Sequence, residues 1–216
     1  MSSIERASKI IASKISTNLS LDQDHEEVIR YGAFALIQTS ISILLVIIFG
    51  VVFNVLLEAL VISISAAILR KFSGGVHASS PMGCAVIGMI IFGGLALFVK
   101  YFLINIGFIN LLVAFILAYV FATYVMIKYS PVGSVNKPLR NLDKRNLLKK
   151  QSIHIVLFTI ILNIILIAIY LKIKNIYLLN VAICISIGVT WQSITLVSLG
   201  RIIIEKLDKL LGGTNI

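Results

Sequence analysis

The feature that most constrains this chain is a series of long apolar segments that polar residues barely interrupt. Hydrophobic residues make up 59% of its 216 residues, and charged residues only 13%. Soluble domains contain far more charge than this. Several of the apolar segments approach the roughly 20 residues that a helix needs to cross a bilayer. The composition therefore predicts an integral membrane protein.

The apolar segments predict an all-α, polytopic membrane protein in one domain, residues 1–216. Residues 1–30 are assigned to an N-terminal amphipathic, cytoplasmic region, 33–199 to the membrane core and 200–216 to a cytoplasmic tail. The second segment is short and carries Glu58, so a tight hairpin or a shallow re-entrant pair with the first segment is the alternative. The six predicted membrane segments are about 33–53, 55–70, 83–104, 107–127, 153–171 and 176–199.

The distribution of basic residues predicts the orientation. If both termini and the links 70–81 and 128–152 face the cytoplasm, 16 of the 19 Lys and Arg residues lie on that side. This bias accounts for the net charge of +10 without a nucleic-acid partner, and it favours contact with anionic membrane lipids. We therefore expect a multi-pass protein of the cell membrane with both termini in the cytoplasm.

The N-terminal region carries the pattern of an amphipathic helix on the membrane surface. Its predicted apolar stripe has three- and four-residue spacing, and the basic residues Arg6, Lys9 and Lys14 lie off it. A second helix start is predicted at Ser20, ahead of a short acidic run. The predicted stripe consists of Ile4, Ala7, Ile11 and Ile15.

The polar link before the third segment contains the residues with the clearest chemistry, His77 and Cys84. Seven residues of straight helix would separate them by about 10.5 Å, whereas a thiol and an imidazole that exchange a proton must approach to about 3–4 Å. Gly74-Gly75 and Ser79-Ser80-Pro81 interrupt the helix, and Pro81 suits the start of a new one. The first turn of that helix favours a thiolate at Cys84, and its amides could receive an oxyanion.

The alternative is that neither residue is catalytic. A cysteine in a membrane helix is usually a small packing residue, and a histidine in a polar loop is usually solvated. Cys184, which lies in the middle of an apolar segment, is predicted to be packing, and both thiols are predicted to be free. One His and one Cys fall short of the four ligands of a zinc site. No metal and no cofactor is predicted.

Two motifs in the chain resemble the accessory gene regulator B (AgrB) family of bacterial membrane peptidases. The first is Arg70–Ala78 followed by Cys84, and the second is Tyr129–Leu139, with its Ser130-Pro131 and Asn136-Lys137-Pro138-Leu139 elements. The resemblance implies a membrane cysteine endopeptidase that removes the C-terminal tail of an AgrD-type quorum-sensing propeptide. It further implies an acyl-enzyme that a thiol of the peptide resolves into a thiolactone ring, with Cys84 as nucleophile and His77 as general base and acid. It also favours a homodimer.

Other residues are candidates for positioning the loop or the substrate. Arg70 could bind a carboxylate or steady the loop, or could simply anchor the helix on the positive side of the membrane. Gly75 permits unusual backbone angles, and Ser73, Ser79 or Ser80 could orient His77. The basic link 128–150 is predicted to bind the acidic tail of the propeptide, with ordinary loop topology as the alternative. Its candidate residues are Lys137, Arg140, Lys144 and Arg145.

Two other classes of function stay open at this point. Intramembrane polar residues such as Glu58 and Asn163 are expected in a small transporter, although no inverted repeat is visible in the sequence. A non-catalytic membrane assembly or sensor subunit would display His77 and Cys84 incidentally. A catalyst should lose activity on Cys84→Ala with normal membrane abundance, whereas a transporter or scaffold should tolerate it.

Overall fold

A computed structural model describes residues 3–103, 106–133 and 141–213, and these residues form eight α-helices. Within the described ranges β pairing is limited to one isolated parallel bridge between Gly74 and Val132. The predicted all-α class is therefore confirmed. The helices are α1 Ser3–Leu19, α2 Gln23–Val52, α3 Leu56–Ser73, α4 Pro81–Tyr101, α5 Phe108–Tyr129, α6 Leu142–Ile173, α7 Ile176–Ile194 and α8 Ser198–Leu210.

Of the described helices, α2, α4, α5, α6 and α7 are long and apolar enough to cross a membrane. The second predicted segment does form a helix, α3, but Glu58, Arg70 and Lys71 make it too polar to be counted with these five by length and composition. One side of α3 is nevertheless well packed, because it contacts α2, α4, α6 and α7. Its other side, with Ile64 and Ile68, is exposed.

Small residues allow α3 and α7 to approach closely. A Cβ atom on Gly188 of α7 would lie 2.5 Å from the Ile62 carbonyl oxygen of α3, so only glycine fits there. Ala59, Ile62 and Cys184 belong to one buried cluster at this contact. Close backbone approach through small residues is how helices gain van der Waals contact in a lipid environment. This contact holds the middle of α3 against α7.

Helix α1 forms as predicted, and the face that it packs against α2 shares only Ile4 with the predicted stripe. Ile11 and Ile15 of that stripe are exposed, and its contact with the membrane surface stays a prediction. The face that packs against α2 consists mainly of small residues, since these let the two helices approach closely. Helix α2 begins after Asp22, whose carboxylate accepts a hydrogen bond from the His25 amide at 2.9 Å, and not at Ser20. The buried face of α1 is Ile4, Ser8, Ala12 and Ser16.

The chain after α7 contains a helix that we did not predict. The last membrane segment is predicted over 176–199, but α7 ends at Ile194, and a tight turn then starts α8. Gly200 is required at this turn because a Cβ atom would overlap the Ile194 carbonyl oxygen. Helix α8 buries Gly200, Ile204 and Asp208 at a spacing of four residues and packs against α4. The predicted tail thus returns to the fold beside the polar loop.

Candidate active site on the loop between α3 and α4

Two glycines shape the start of the polar loop. Gly74 and Gly75 have φ angles of +70° and +140°, which L side chains rarely adopt. A Cβ atom on Gly74 would overlap the Val132 carbonyl oxygen, and one on Gly75 would lie 2.8 Å from Thr195 Oγ1. The predicted break of the helix at these glycines is confirmed. Both the backbone angles and the close contacts require glycine at these two positions.

The described part of the second motif, residues 129–133, packs against the same point of the loop. The Val132 amide donates a hydrogen bond to the Ser73 carbonyl at 2.8 Å, next to the bridge with Gly74. On the other side of the motif, the hydroxyls of Ser130 and Ser152 lie 2.8 Å apart and form a buried hydrogen bond. The two motifs, separated by about fifty residues, therefore form one structural unit.

Gln192 of α7 also holds the start of the loop, and sequence reasoning missed it. Its Nε2 donates to Ser73 Oγ at 3.0 Å and to the Gly74 carbonyl at 2.7 Å, and the side chain is 1% exposed. Ser73 is thus engaged with Gln192 and is not an orienting partner of His77. A buried glutamine near the end of an apolar helix was the available signal, because such a group must find a partner.

Arg70 links the loop to both candidate catalytic residues. Its guanidinium donates a hydrogen bond to the Val76 carbonyl, directly before His77. The guanidinium also lies close enough to His77 and Cys84 to interact with both electrostatically. These contacts favour the loop-steadying interpretation of Arg70, and they bring His77 and Cys84 to one side of the fold.

His77 is held in its neutral form. Desolvation by the surrounding protein, followed by the positive charge of Arg70, lowers the pKa of His77 to about 4. The residue still presents much of its surface to solvent. A water-accessible, neutral imidazole at pH 7 has a lone pair that can accept a proton from a thiol.

Cys84 lies in the first turn of α4, as predicted. Helix α4 begins at Pro81, and the Ser80 side chain caps it by accepting a hydrogen bond from the Gly83 amide at 3.0 Å. The Cys84 amide donates to the Ser80 carbonyl at 2.9 Å. Those two amides are therefore engaged, so an oxyanion could use them only after displacing Ser80. The Cys84 thiol is free and half-buried, and it lies near the positive end of the helix dipole.

Ser79 is held through its backbone. Its amide donates to Asp208 Oδ2 of α8 at 3.0 Å. No local pattern predicts this contact, because the two residues are 129 positions apart. Ser80 acts as a helix cap, so neither serine is described in contact with the His77 ring.

The predicted tail-binding residues are only partly described. Lys144 and Arg145 are exposed in the first turn of α6, which Asn141 caps by accepting from the Lys144 amide at 3.1 Å. Lys137 and Arg140 lie outside the described residues.

The intramembrane polar residues have structural partners in the helix interior. Glu58 Oε1 accepts a hydrogen bond from Asn180 at 2.8 Å, and Asn163 donates to Ser186 Oγ at 2.6 Å. Cys184 is buried and free, as predicted. These contacts account for Glu58 and for the amide nitrogen of Asn163, whereas Asn163 Oδ1 is buried without a hydrogen-bond partner among the described residues.

The fold and the loop together define a class: a polytopic helical membrane protein that presents a histidine and a cysteine on one glycine-bounded loop. Within that class, the sequence model described as "AgrB: Accessory gene regulator B" matches residues 8–196. The chain therefore belongs to the accessory gene regulator B family, and it has a role in the accessory gene regulator system, which links it to AgrD.

Two relatives come from Clostridium perfringens. The chain is 37% identical over 206 residues to "Putative AgrB-like protein" of strain SM101 / Type A and to "Putative AgrB-like protein 2" of strain 13 / Type A. Each match covers 95% of this chain and 96% of the relative. No solved structure matches the chain significantly.

Proposed function

We propose that this chain is a membrane-embedded cysteine endopeptidase that removes the C-terminal tail of an AgrD-like propeptide and promotes thiolactone or lactone ring closure for quorum sensing. The observation that carries the proposal is the loop itself. A neutral imidazole and a half-buried thiol at a helix N-terminus share one neighbouring cation, Arg70. Family membership adds the link to AgrD.

The first half of the reaction forms an acyl-enzyme. His77 takes the proton of the Cys84 thiol, and the thiolate attacks the scissile carbonyl of the propeptide. As the tetrahedral intermediate collapses, the C–N bond breaks and the imidazolium of His77 protonates the departing amine. The tail leaves, and the remaining peptide is held as a thioester on Cys84.

The second half closes the ring. A thiol of the bound peptide gives its proton to His77, attacks the thioester carbonyl and displaces the Cys84 thiolate, which regains a proton. One thioester is exchanged for another, so the step needs no external energy source. Water must be kept from the thioester meanwhile, and a site at the edge of an apolar helix bundle suits that requirement.

Mass spectrometry of the reaction tests the proposal directly. The purified protein in lipid is incubated with the AgrD-like propeptide encoded beside its gene, and both protein and peptide masses are recorded. We expect tail release, a peptide thioester on Cys84 and a cyclic product lighter than the linear fragment by one water. An untouched propeptide, after the neighbouring candidate peptides have also been tried, would contradict the proposal and favour a transport or assembly role.

The pH dependence of the reaction should report on the Arg70–His77 pair. The pKa of His77 is lowered from its ordinary value of 6.5 to about 4, so the general base stays neutral well below pH 6.5. The acid limb of kcat/KM should therefore lie below pH 6.5. In Arg70→Gln the cationic neighbour is gone, the imidazolium costs less to form, and the acid limb should move to higher pH.

Arg70→Lys is the matched control for this measurement. It keeps the positive charge, so the acid limb should stay low even if the rate falls through the altered bond to the Val76 carbonyl. Identical acid limbs in Arg70→Gln and the wild type would contradict the electrostatic coupling.

Exposed basic residues at the start of α6 are proposed to bind the acidic tail of the propeptide. Reversing Lys144 and Arg145 to Glu should raise KM by about tenfold and leave kcat within about twofold, because attraction is replaced by repulsion away from the reacting atoms. The matched control reverses the exposed Lys9 and Lys14 of α1. An unchanged KM in a correctly inserted Lys144 and Arg145 variant would contradict the docking role.

We also propose one AgrB-like peptidase domain over residues 1–216, in the bacterial cell membrane, with both termini in the cytoplasm. The contact between α8 and the α3–α4 loop puts the C-terminal helix on the same side as the start of α4, and the bias of basic residues assigns that side to the cytoplasm. If α3 crosses the membrane with α2, the N-terminus shares that side. Contacts with lipid and a homodimer stay predictions.

A further inference from the structure

We infer that Asp208 is a positioning residue of the catalytic loop, and that α8 is a strap that fixes the segment between His77 and Cys84. The inference rests on the proposed function for its kinetic readout. Its structural basis is one long-range hydrogen bond, from the Ser79 amide to Asp208 Oδ2 at 3.0 Å.

Asp208 is buried to an unusual degree for a carboxylate. Only 2% of the residue is exposed, and burying a charge is costly unless hydrogen bonds and favourable dipoles compensate it. The Ser79 amide supplies one hydrogen bond. The N-terminus of α4 supplies the second contribution, because Asp208 Oδ1 lies 3.2 Å from where a Cβ atom on Gly83 would stand, at the positive end of the helix dipole.

The local backbone of α8 is arranged around this carboxylate. The Gly213 amide donates to the Asp208 carbonyl at 2.8 Å, and a Cβ atom on Gly213 would lie 2.5 Å from the Asp208 carboxylate, so a side chain there would displace it. At the other end of α8, Gly200 lets the helix start against the end of α7. Ile204, one turn before Asp208, is buried and anchors the same face.

The position of the hydrogen bond between Ser79 and Asp208 indicates its role in the loop. Ser79 lies two residues after His77, and the next residue, Ser80, caps the helix that carries Cys84. Arg70 and Gln192 hold the beginning of the loop, whereas Asp208 holds its end. Without Asp208 the turn before α4 would be fixed only by the helix cap. The spacing of imidazole and thiol would then vary, and a misplacement of about 1 Å is enough to cost about 100-fold in rate.

The experiment compares Asp208→Ala and Asp208→Asn with the control Glu205→Gln, which removes the same charge from the same helix three residues away. All variants carry Cys184→Ala, so that Cys84 is the one thiol. We measure kcat and KM for tail release from the AgrD-like propeptide. Amide hydrogen exchange of residues 74–84 in lipid is measured in parallel.

For Asp208→Ala we expect kcat to fall by about 10- to 100-fold with KM within about threefold, and the exchange of the Ser79 amide to accelerate. Asp208→Asn keeps an oxygen that accepts the Ser79 hydrogen bond. It should therefore keep most of the parent kcat and most of the protection of the Ser79 amide against hydrogen exchange. Glu205→Gln should match the parent protein in both measurements.

Three results would overturn the inference: an unchanged kcat in Asp208→Ala, a loss in Asp208→Asn equal to that in Asp208→Ala, or unchanged exchange of the Ser79 amide. If Asp208→Ala does not insert into the membrane, kcat and Ser79 amide exchange are compared between Asp208→Asn and Glu205→Gln instead. If the parent protein leaves the propeptide uncut, the proposed function fails. The exchange data then still support or overturn the strap.

Discussion

Cys84→Ala should reduce tail release from the propeptide by at least about 1,000-fold, whereas Cys184→Ala should keep the rate within about twofold of wild type. The first change removes the nucleophile at the start of α4. The second removes a thiol that is buried in α7 and packs against the helix core. The measurement is single-turnover cleavage with matched protein amounts in lipid.

Two further variants make this prediction sharper. His77→Ala should lose a similar factor, because the thiol then has neither a base nor an acid beside it. The combined Cys84→Ala and His77→Ala variant should be little worse than either one alone, since residues that act as a unit are not additive. Cleavage that persists in Cys84→Ala at normal abundance would contradict the peptidase assignment.

Gly74→Ala should inactivate the protein by about 100-fold or more, or prevent its correct insertion. The residue has φ +70° and ψ −152°, a region that is essentially restricted to glycine and costs about 1–3 kcal/mol for other residues. In addition, the new methyl group would overlap the Val132 carbonyl oxygen and separate the two motifs. Abundance in membranes, kcat and the rate of Cys84 alkylation by iodoacetamide measure the effect.

Gly94→Ala is the matched control, because nothing lies within 4 Å of its would-be Cβ atom in the middle of α4. We expect it to keep both abundance and activity close to wild type. Equal behaviour of Gly74→Ala and Gly94→Ala would show that the contact between the loop and Val132 has no part in the function.

The sequence predicted the local breaks of the chain well. Gly74, Gly75 and Pro81 each have characteristic backbone preferences of their own. The end of α3 and the start of α4 could therefore be predicted without knowing which residues pack against them. The position of Cys84 in the first turn of α4 followed from the same rule. Gln192 and Asp208 could not be read in this way, because their partners lie more than 100 positions away in the chain.

The faces that pack inside the protein could not be predicted from hydrophobicity. The stripe predicted on α1 is a membrane-facing one, and the face that packs against α2 consists mainly of small residues, which the pattern did not indicate. The polar tail was predicted without a helix, although Gly200, Ile204 and Asp208 share one face of α8. In a membrane protein large apolar residues can face lipid, so hydrophobicity does not identify the face that packs.

The sequence by itself determined that this is a helical membrane protein, where its polar loop begins and ends, and that a histidine and a cysteine lie on that loop. These properties depend on composition and on backbone restrictions that act within a few residues. The tertiary structure alone decided that α3 packs against four other helices, that Val132, Gln192 and Asp208 hold the loop, and that Arg70 lies near both His77 and Cys84. Such contacts join residues that are far apart in the chain. The sequence pattern allows many pairings of such residues equally well, and only the packing of the helices decides which pairings form.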